Sequence, residues 1–130
     1  MRTDQHDAYG EMSATARFAR EPKSVALARN WAVQAYSDAG GSEVDVCELL
    51  VSEVATNSVN YAEGPEFEVR VRSDLWIEVW DASRQEPQRR VANEQSTGGR
   101  GLELLELLAP GYTVDIGPDG KTVCFLPKGW

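Results

Sequence analysis

The chain has 130 residues, 42% hydrophobic and 26% charged, with 13 basic against 21 acidic side chains and a formal charge of −8 at pH 7. That length closes one hydrophobic core, and the composition is that of an ordinary globular domain, which excludes a disordered, fibrous or disulfide-stapled chain. The acidic balance removes nucleic acid and anionic membrane as default partners, because proteins that bind phosphodiester backbones present a basic face.

Residues 1 to about 15 are polar and aperiodic and are expected to form a mobile tail holding the single histidine, His6, with the folded domain over residues 16–130. Nothing in the first 16 residues resembles the apolar core of a secretory signal, and no apolar run approaches the ~20 residues that span a bilayer, so a cytoplasmic protein is expected. Ala16 to Arg20 suits a short edge strand. Pro22 then forces a turn before Ser24, a good N-cap, and Val25, Ala28, Ala32 and Ala35 recur at helical spacing until Gly40-Gly41. Ser42 can cap a second helix, in which Val44, Cys47, Val51, Val54, Ala55, Ser58 and Ala62 follow the 3.6-residue period as far as Gly64-Pro65.

Phe67, Val69 and Val71 alternate with charged residues, Ser73-Asp74 marks a turn, and Leu75, Ile77 and Val79 alternate again up to Asp81, which predicts a β-hairpin. Residues 84–100 are polar and turn-rich, a long loop of the kind that serves as a lid. After Gly101 a short helix carries Leu102, Leu105 and Leu108 and stops at Pro110-Gly111. A last hairpin joins Tyr112–Ile116 to Lys121–Leu126 around Gly117-Pro118-Asp119-Gly120. Antiparallel strands with helices collected on one face make an α+β two-layer sandwich, with a mixed, mostly antiparallel sheet. Cys47 and Cys124 share no metal-ligand spacing and are expected to be buried, reduced thiols.

Three places carry candidate chemistry. Glu53 and Asn57 lie four apart on the second helix, which puts carboxylate and carboxamide on one side, about 5–6 Å apart at Cβ, beside the apolar stripe. They are either a solvated surface pair or polar groups that need a ligand or metal as partner. Asp81 shares the parity of Ile77 and Val79, so it is either an inward carboxylate in need of a donor or a turn cap leading into Ala82-Ser83. Gly98-Gly99-Arg100-Gly101 directly precedes the helix beginning at Leu102, where backbone N–H groups and the helix dipole suit a polyphosphate. Gly120-Lys121-Thr122 is no Walker loop, because Asp115 stands where its leading glycine should be and the segment joins two strands.

Taken in order over residues 16 to 126, these segments resemble the ATP-binding domain of the GHKL superfamily (gyrase, histidine kinase and MutL among its members), and most closely the stand-alone bacterial anti-sigma-factor serine kinases. Glu53-Val-Ala-Thr-Asn57 is similar to the family's N box, Asp81-Ala-Ser83 to its first glycine box, Gly98-Gly99-Arg100-Gly101-Leu102 to its second and Gly120-Lys121-Thr122 to its last strand. The resemblance implies ATP and Mg²⁺ as cofactors. Asn57 would hold the metal, Glu53 would be the general base, Asp81 would accept the adenine amino group with support from Thr122, and Gly98, Gly99, Arg100, Gly101 and Leu102 would line the phosphates under a lid of residues 84–100. Ser83 stands where the family has a glycine, and the Asn60-Tyr61 position lacks the family's frequent histidine or arginine.

The function so implied is an ATP-dependent serine/threonine-protein kinase and anti-sigma factor of a bacterial partner-switching system. It would phosphorylate a STAS-domain anti-anti-sigma protein, sequester a sigma factor and commonly form a homodimer. The alternative is a non-catalytic ATP-binding module that sequesters its partner. Trp76 and Trp80 share the strand face opposite Ile77 and Val79, which is either a surface for association or the other side of the core.

Overall fold

Alternating apolar residues make the central strands. In the computed structural model, which describes residues 12–83 and 97–128 but not the side chains of 12, 13 and 97–102, the order is β1 (Met12–Ala19), α1 (Lys23–Asp38), α2 (Val44–Tyr61), β2 (Glu66–Arg72), β3 (Ile77–Asp81), α3 (Thr97–Leu108), β4 (Thr113–Ile116) and β5 (Lys121–Phe125). The expected tail around His6 falls outside the described residues up to Glu11. The sheet runs β1-β2-β3-β5-β4 and every neighbouring pair is antiparallel, so the expected mixed sheet is corrected to a purely antiparallel one.

Register aligns the apolar parity across the strands. Val69 faces Val79 and Val79 faces Val123, while Val71 faces Ile77 and Ile77 faces Phe125. With Phe67, these side chains are buried and form the sheet side of the core. Helix α1 brings Ala28, Ala32 and Tyr36, helix α2 brings Cys47, Leu50, Val51, Val54 and Ala55, and helix α3 adds Leu105 and Leu108. The other face of the sheet is charged: Glu68 bridges Arg17 and Arg70, Glu78 bridges Arg70 and Arg72, and Arg72 also reaches Asp74. A polar outer face leaves a two-layer domain with one core.

Both expected serine caps are displaced. Ser24 is buried inside the first turn of α1, after Pro22 at the cap position, and Glu43 rather than Ser42 precedes α2. The Glu43 N–H donates to the Tyr36 hydroxyl at 3.0 Å, so the start of α2 is held by a side chain from the preceding helix and carries no side-chain cap of its own. Leu75 is not in the strand: it lies in the hairpin turn with φ of 77°, a left-handed conformation unusual for leucine, and β3 begins two residues later. Strand β1 starts at Met12, four residues before the expected Ala16.

Gly41 explains the tight passage between α1 and α2. A Cβ there would stand 2.3 Å from Tyr36 Cζ and 2.4 Å from Cε2, on the buried ring whose hydroxyl receives Glu43. Gly41→Ala is therefore expected to lower the urea midpoint by the equivalent of about 1–3 kcal/mol, the usual cost of overpacking a fixed core. An unchanged midpoint would show that the α1–α2 connection yields freely.

Both cysteines are buried free thiols, as expected. Burial pushes Cys47 from 9.0 up to about 12, and burial together with the Glu78 carboxylate pushes Cys124 up to about 11. The folded state thus holds both thiol protons more tightly than the unfolded chain. Their stabilising contribution is complete below pH 9.0 and is lost as pH rises towards 11 and 12. At pH 8 neither thiol is expected to react with Ellman's reagent until denaturant is added; prompt reaction of either one in the native protein would contradict this packing.

Candidate functional site

The parity that buries Ile77 and Val79 also turns Asp81, the last residue of β3, toward the helices, where it is only 2% exposed. Its carboxylate is met from three sides. Ser58 on α2 donates its hydroxyl to Oδ2 at 2.7 Å, the Ser83 backbone N–H donates to Oδ1 at 2.9 Å, and Lys121 Nζ lies 3.3 Å from Oδ1 and 3.1 Å from Oδ2. Both readings of Asp81 therefore hold at once, since it is an inward carboxylate and also closes an Asx-type turn onto Ser83. Ser83 is itself buried.

Lys121 opens β5 directly opposite Asp81. Its neighbour Gly120 lets the two backbones meet: a Cβ at Gly120 would fall 2.0 Å from the Asp81 carbonyl oxygen and 3.0 Å from Ala82 Cα. Thr122, by contrast, pairs with Trp80 and lies on the sheet face away from the helices, so it does not stand beside Asp81 as its motif position implies. The inward place next to the carboxylate is taken by lysine.

Glu53 and Asn57 are half-buried on α2, at the rim of the stripe formed by Val54, Ala55 and Ser58. Asn57 directly precedes the serine that holds Asp81. Its Oδ1 is shielded from solvent and has no hydrogen-bond partner among the described residues, which makes it a buried amide oxygen in need of a donor or a cation. Glu53 Oε1 is likewise shielded. Arg20 steadies the far end of α2 by donating from Nη1 to the Val59 carbonyl and from Nε to the Gly64 carbonyl, each at 2.7 Å. A cation at a helix C-terminus is favourable both as a cap and against the dipole.

The structure corrects the place of the glycines. Gly98, Gly99, Arg100, Gly101 and Leu102 do not precede a helix but belong to α3, which is helical from Thr97. Glycine disfavours a helix by only about 1 kcal/mol per residue, and the packing of Leu105 and Leu108 outweighs it. The first four N–H groups of α3 still lack intrahelical partners, the property that suits an anion. The side chains of Arg100 and Leu102, and residues 84–96 of the expected lid, lie outside the described residues.

Magnesium fits the Asn57 amide oxygen. Among the described residues no group of three His, Cys, Asp or Glu side chains is arranged to hold a metal. A magnesium site built on a single buried carboxamide oxygen, Asn57 Oδ1, with phosphate and water oxygens completing it, does not need one.

Among the described residues, three helices over a five-stranded antiparallel sheet, with a buried aspartate at a strand end and a Glu-Asn pair on the adjoining helix, define an α+β domain with a buried polar cluster at the sheet end. A model of the histidine kinase-like ATPase domain family matches residues 18–126, and the chain belongs to that family, whose members are ATP-binding, kinase-like domains. No curated protein matches the chain at a significant level. No helix among the described residues is long and apolar enough to cross a membrane.

Sequence reasoning missed Ser58 and Lys121. Ser58 was placed in the apolar stripe by its period, and its burial is as expected, but its hydroxyl is committed to a carboxylate 23 residues away. Lys121 had one signal, its position immediately after Gly120, from which an antiparallel register with Asp81 could have been drawn.

Proposed function

We propose that this domain is an ATP-dependent protein serine/threonine kinase and anti-sigma factor, which phosphorylates a STAS-domain anti-anti-sigma protein and sequesters a sigma factor. The observation that carries the reading is the hydrogen bond from Ser58 to Asp81, which ties the base-reading carboxylate of β3 to the turn of α2 that holds Glu53 and Asn57. One wall thereby carries the Asp81 carboxylate, read as the acceptor for the adenine amino group and held by Lys121, together with a neutral oxygen for a cation and a carboxylate for a proton. Ser83 orders the turn beside the base, and the amide end of α3, from Thr97 to Arg100, suits the phosphates.

In this reading Asn57 would hold Mg²⁺, which supplies charge neutralisation at the phosphates when bound. Glu53 accepts the proton of the attacking serine or threonine hydroxyl. The hydroxyl oxygen bonds to the γ-phosphorus as the bond from that phosphorus to the β,γ-bridging oxygen breaks, and ADP leaves. A homodimer is part of the proposal. The reading is tested by calorimetry with Mg·ATP and by ³²P transfer from γ-labelled ATP to the STAS-domain proteins of the source genome. Labelled STAS protein is the expected result, and nucleotide binding without transfer or hydrolysis would instead support a non-catalytic, partner-sequestering module.

A further inference from the structure

Asp81 presents two carboxylate oxygens, with about four acceptor positions between them. Among the described residues four donations fill them: Ser83 N–H and Lys121 Nζ at Oδ1, and Ser58 Oγ and Lys121 Nζ at Oδ2. The ion pair is not a surface pair, since the side chains of Lys121 and Asp81 are 8% and 2% exposed. The Ser58 and Ser83 donations come from the body of α2 and from the backbone, so they are fixed. Lys121 is the one donor on a long flexible stem, and an amino group arriving at Asp81 has to take the positions that it holds.

We propose that Lys121 sets the affinity of this nucleotide site: it competes from within the protein against the adenine amino group for the Asp81 carboxylate. The proposal rests on the reading of Asp81 as the adenine acceptor. The exchange is unequal. A charge-assisted lysine bond gives way to a bond from a neutral amine, and the ammonium must find water or another acceptor outside the cluster. Adenine affinity is therefore set by the release of Lys121 as well as by the contacts the nucleotide makes, and the handicap falls on the base whatever the number of phosphates.

The test is calorimetry of the full chain with Mg·ATP and with AMP, comparing the native protein with Lys121→Met, which keeps the stem and removes the ammonium, and Lys121→Arg, which keeps a charged donor. Lys121→Met is expected to bind both nucleotides at least tenfold more tightly, and Lys121→Arg to stay near the native affinity. Unchanged or weaker binding by Lys121→Met overturns the competition while leaving the adenine site standing. Failure of the native protein and both variants to bind either nucleotide overturns the adenine reading along with it. The native protein supplies a readout that requires no variant to fold, the NMR signals of Lys121 Cε and Nζ. They are expected to move to a solvent-exposed position on saturation with ADP, and signals that stay in place while ADP binds overturn the proposal.

Discussion

Replacing Asp81 by alanine is expected to cost about 3–5 kcal/mol of folding stability, the loss typical of removing one partner from a buried ion pair. The Lys121 ammonium would remain in the cluster without its counter-charge, and the Ser58 hydroxyl and Ser83 N–H would lose their acceptor in the same step. Each abandoned neutral donor adds a desolvation penalty that the native bonds offset. Urea unfolding of Asp81→Ala beside Lys121→Met and the double variant separates these contributions. The double variant is expected to be more stable than Asp81→Ala alone, because no unpaired charge is left behind, yet to stay as poor at binding adenine nucleotide. A loss below about 1 kcal/mol for Asp81→Ala would mean that the pair contributes little and that water reaches it readily.

Glu53→Gln should separate catalysis from binding. The substitution keeps shape and hydrogen-bonding capacity at the rim of α2, where Glu53 is half-buried, and removes the ability to take up a proton. Under the proposed mechanism, phosphoryl transfer to the STAS protein falls by ~10²–10⁴, the usual contribution of a positioned base. The affinity for Mg·ATP stays within a few-fold of native, since Asn57, Asp81 and the amides of α3 are untouched. A variant that labels its partner at the native rate would remove Glu53 from the role of base. One that loses nucleotide binding as well would make Glu53 part of the binding surface instead.

The elements most legible in the chain are those whose pattern is local and repeated. In α2, Cys47, Val51, Val54, Ala55 and Ser58 stand in a 3.6-residue period and are buried, as is Ala62 just past the helix end, while Val44 at its start is half-buried, because one helical face meets one sheet. The hairpin strands were readable from Phe67, Val69, Val71, Ile77 and Val79 for the same reason at period two. Helix starts were less legible. Ser24 and Ser42 are good caps in isolation, but the Tyr36 hydroxyl, placed by the packing of α1 on α2, reaches the Glu43 N–H. Leu75 continues the alternation on paper, and the turn that joins β2 to β3 draws it out of the strand.

Of the candidate site, the sequence by itself determined the residue types, their order and part of their local geometry: Glu53 and Asn57 one turn apart and Asp81 on the parity of Ile77 and Val79, whereas the structure decided that Asp81 points inward and that the glycines lie within α3 rather than before it. Tertiary structure alone decided what Asp81 meets. Side chains on a strand alternate between faces, so a shift of one residue exchanges Thr122 for Lys121 at the carboxylate, and the register is set by the close packing of Gly120 on the Asp81 backbone. A domain of 130 residues and charge −8 thus places a cation at the carboxylate expected to read adenine. Composition cannot show this, because the pairing joins residues 40 apart in the chain and exists only once β3 and β5 lie side by side.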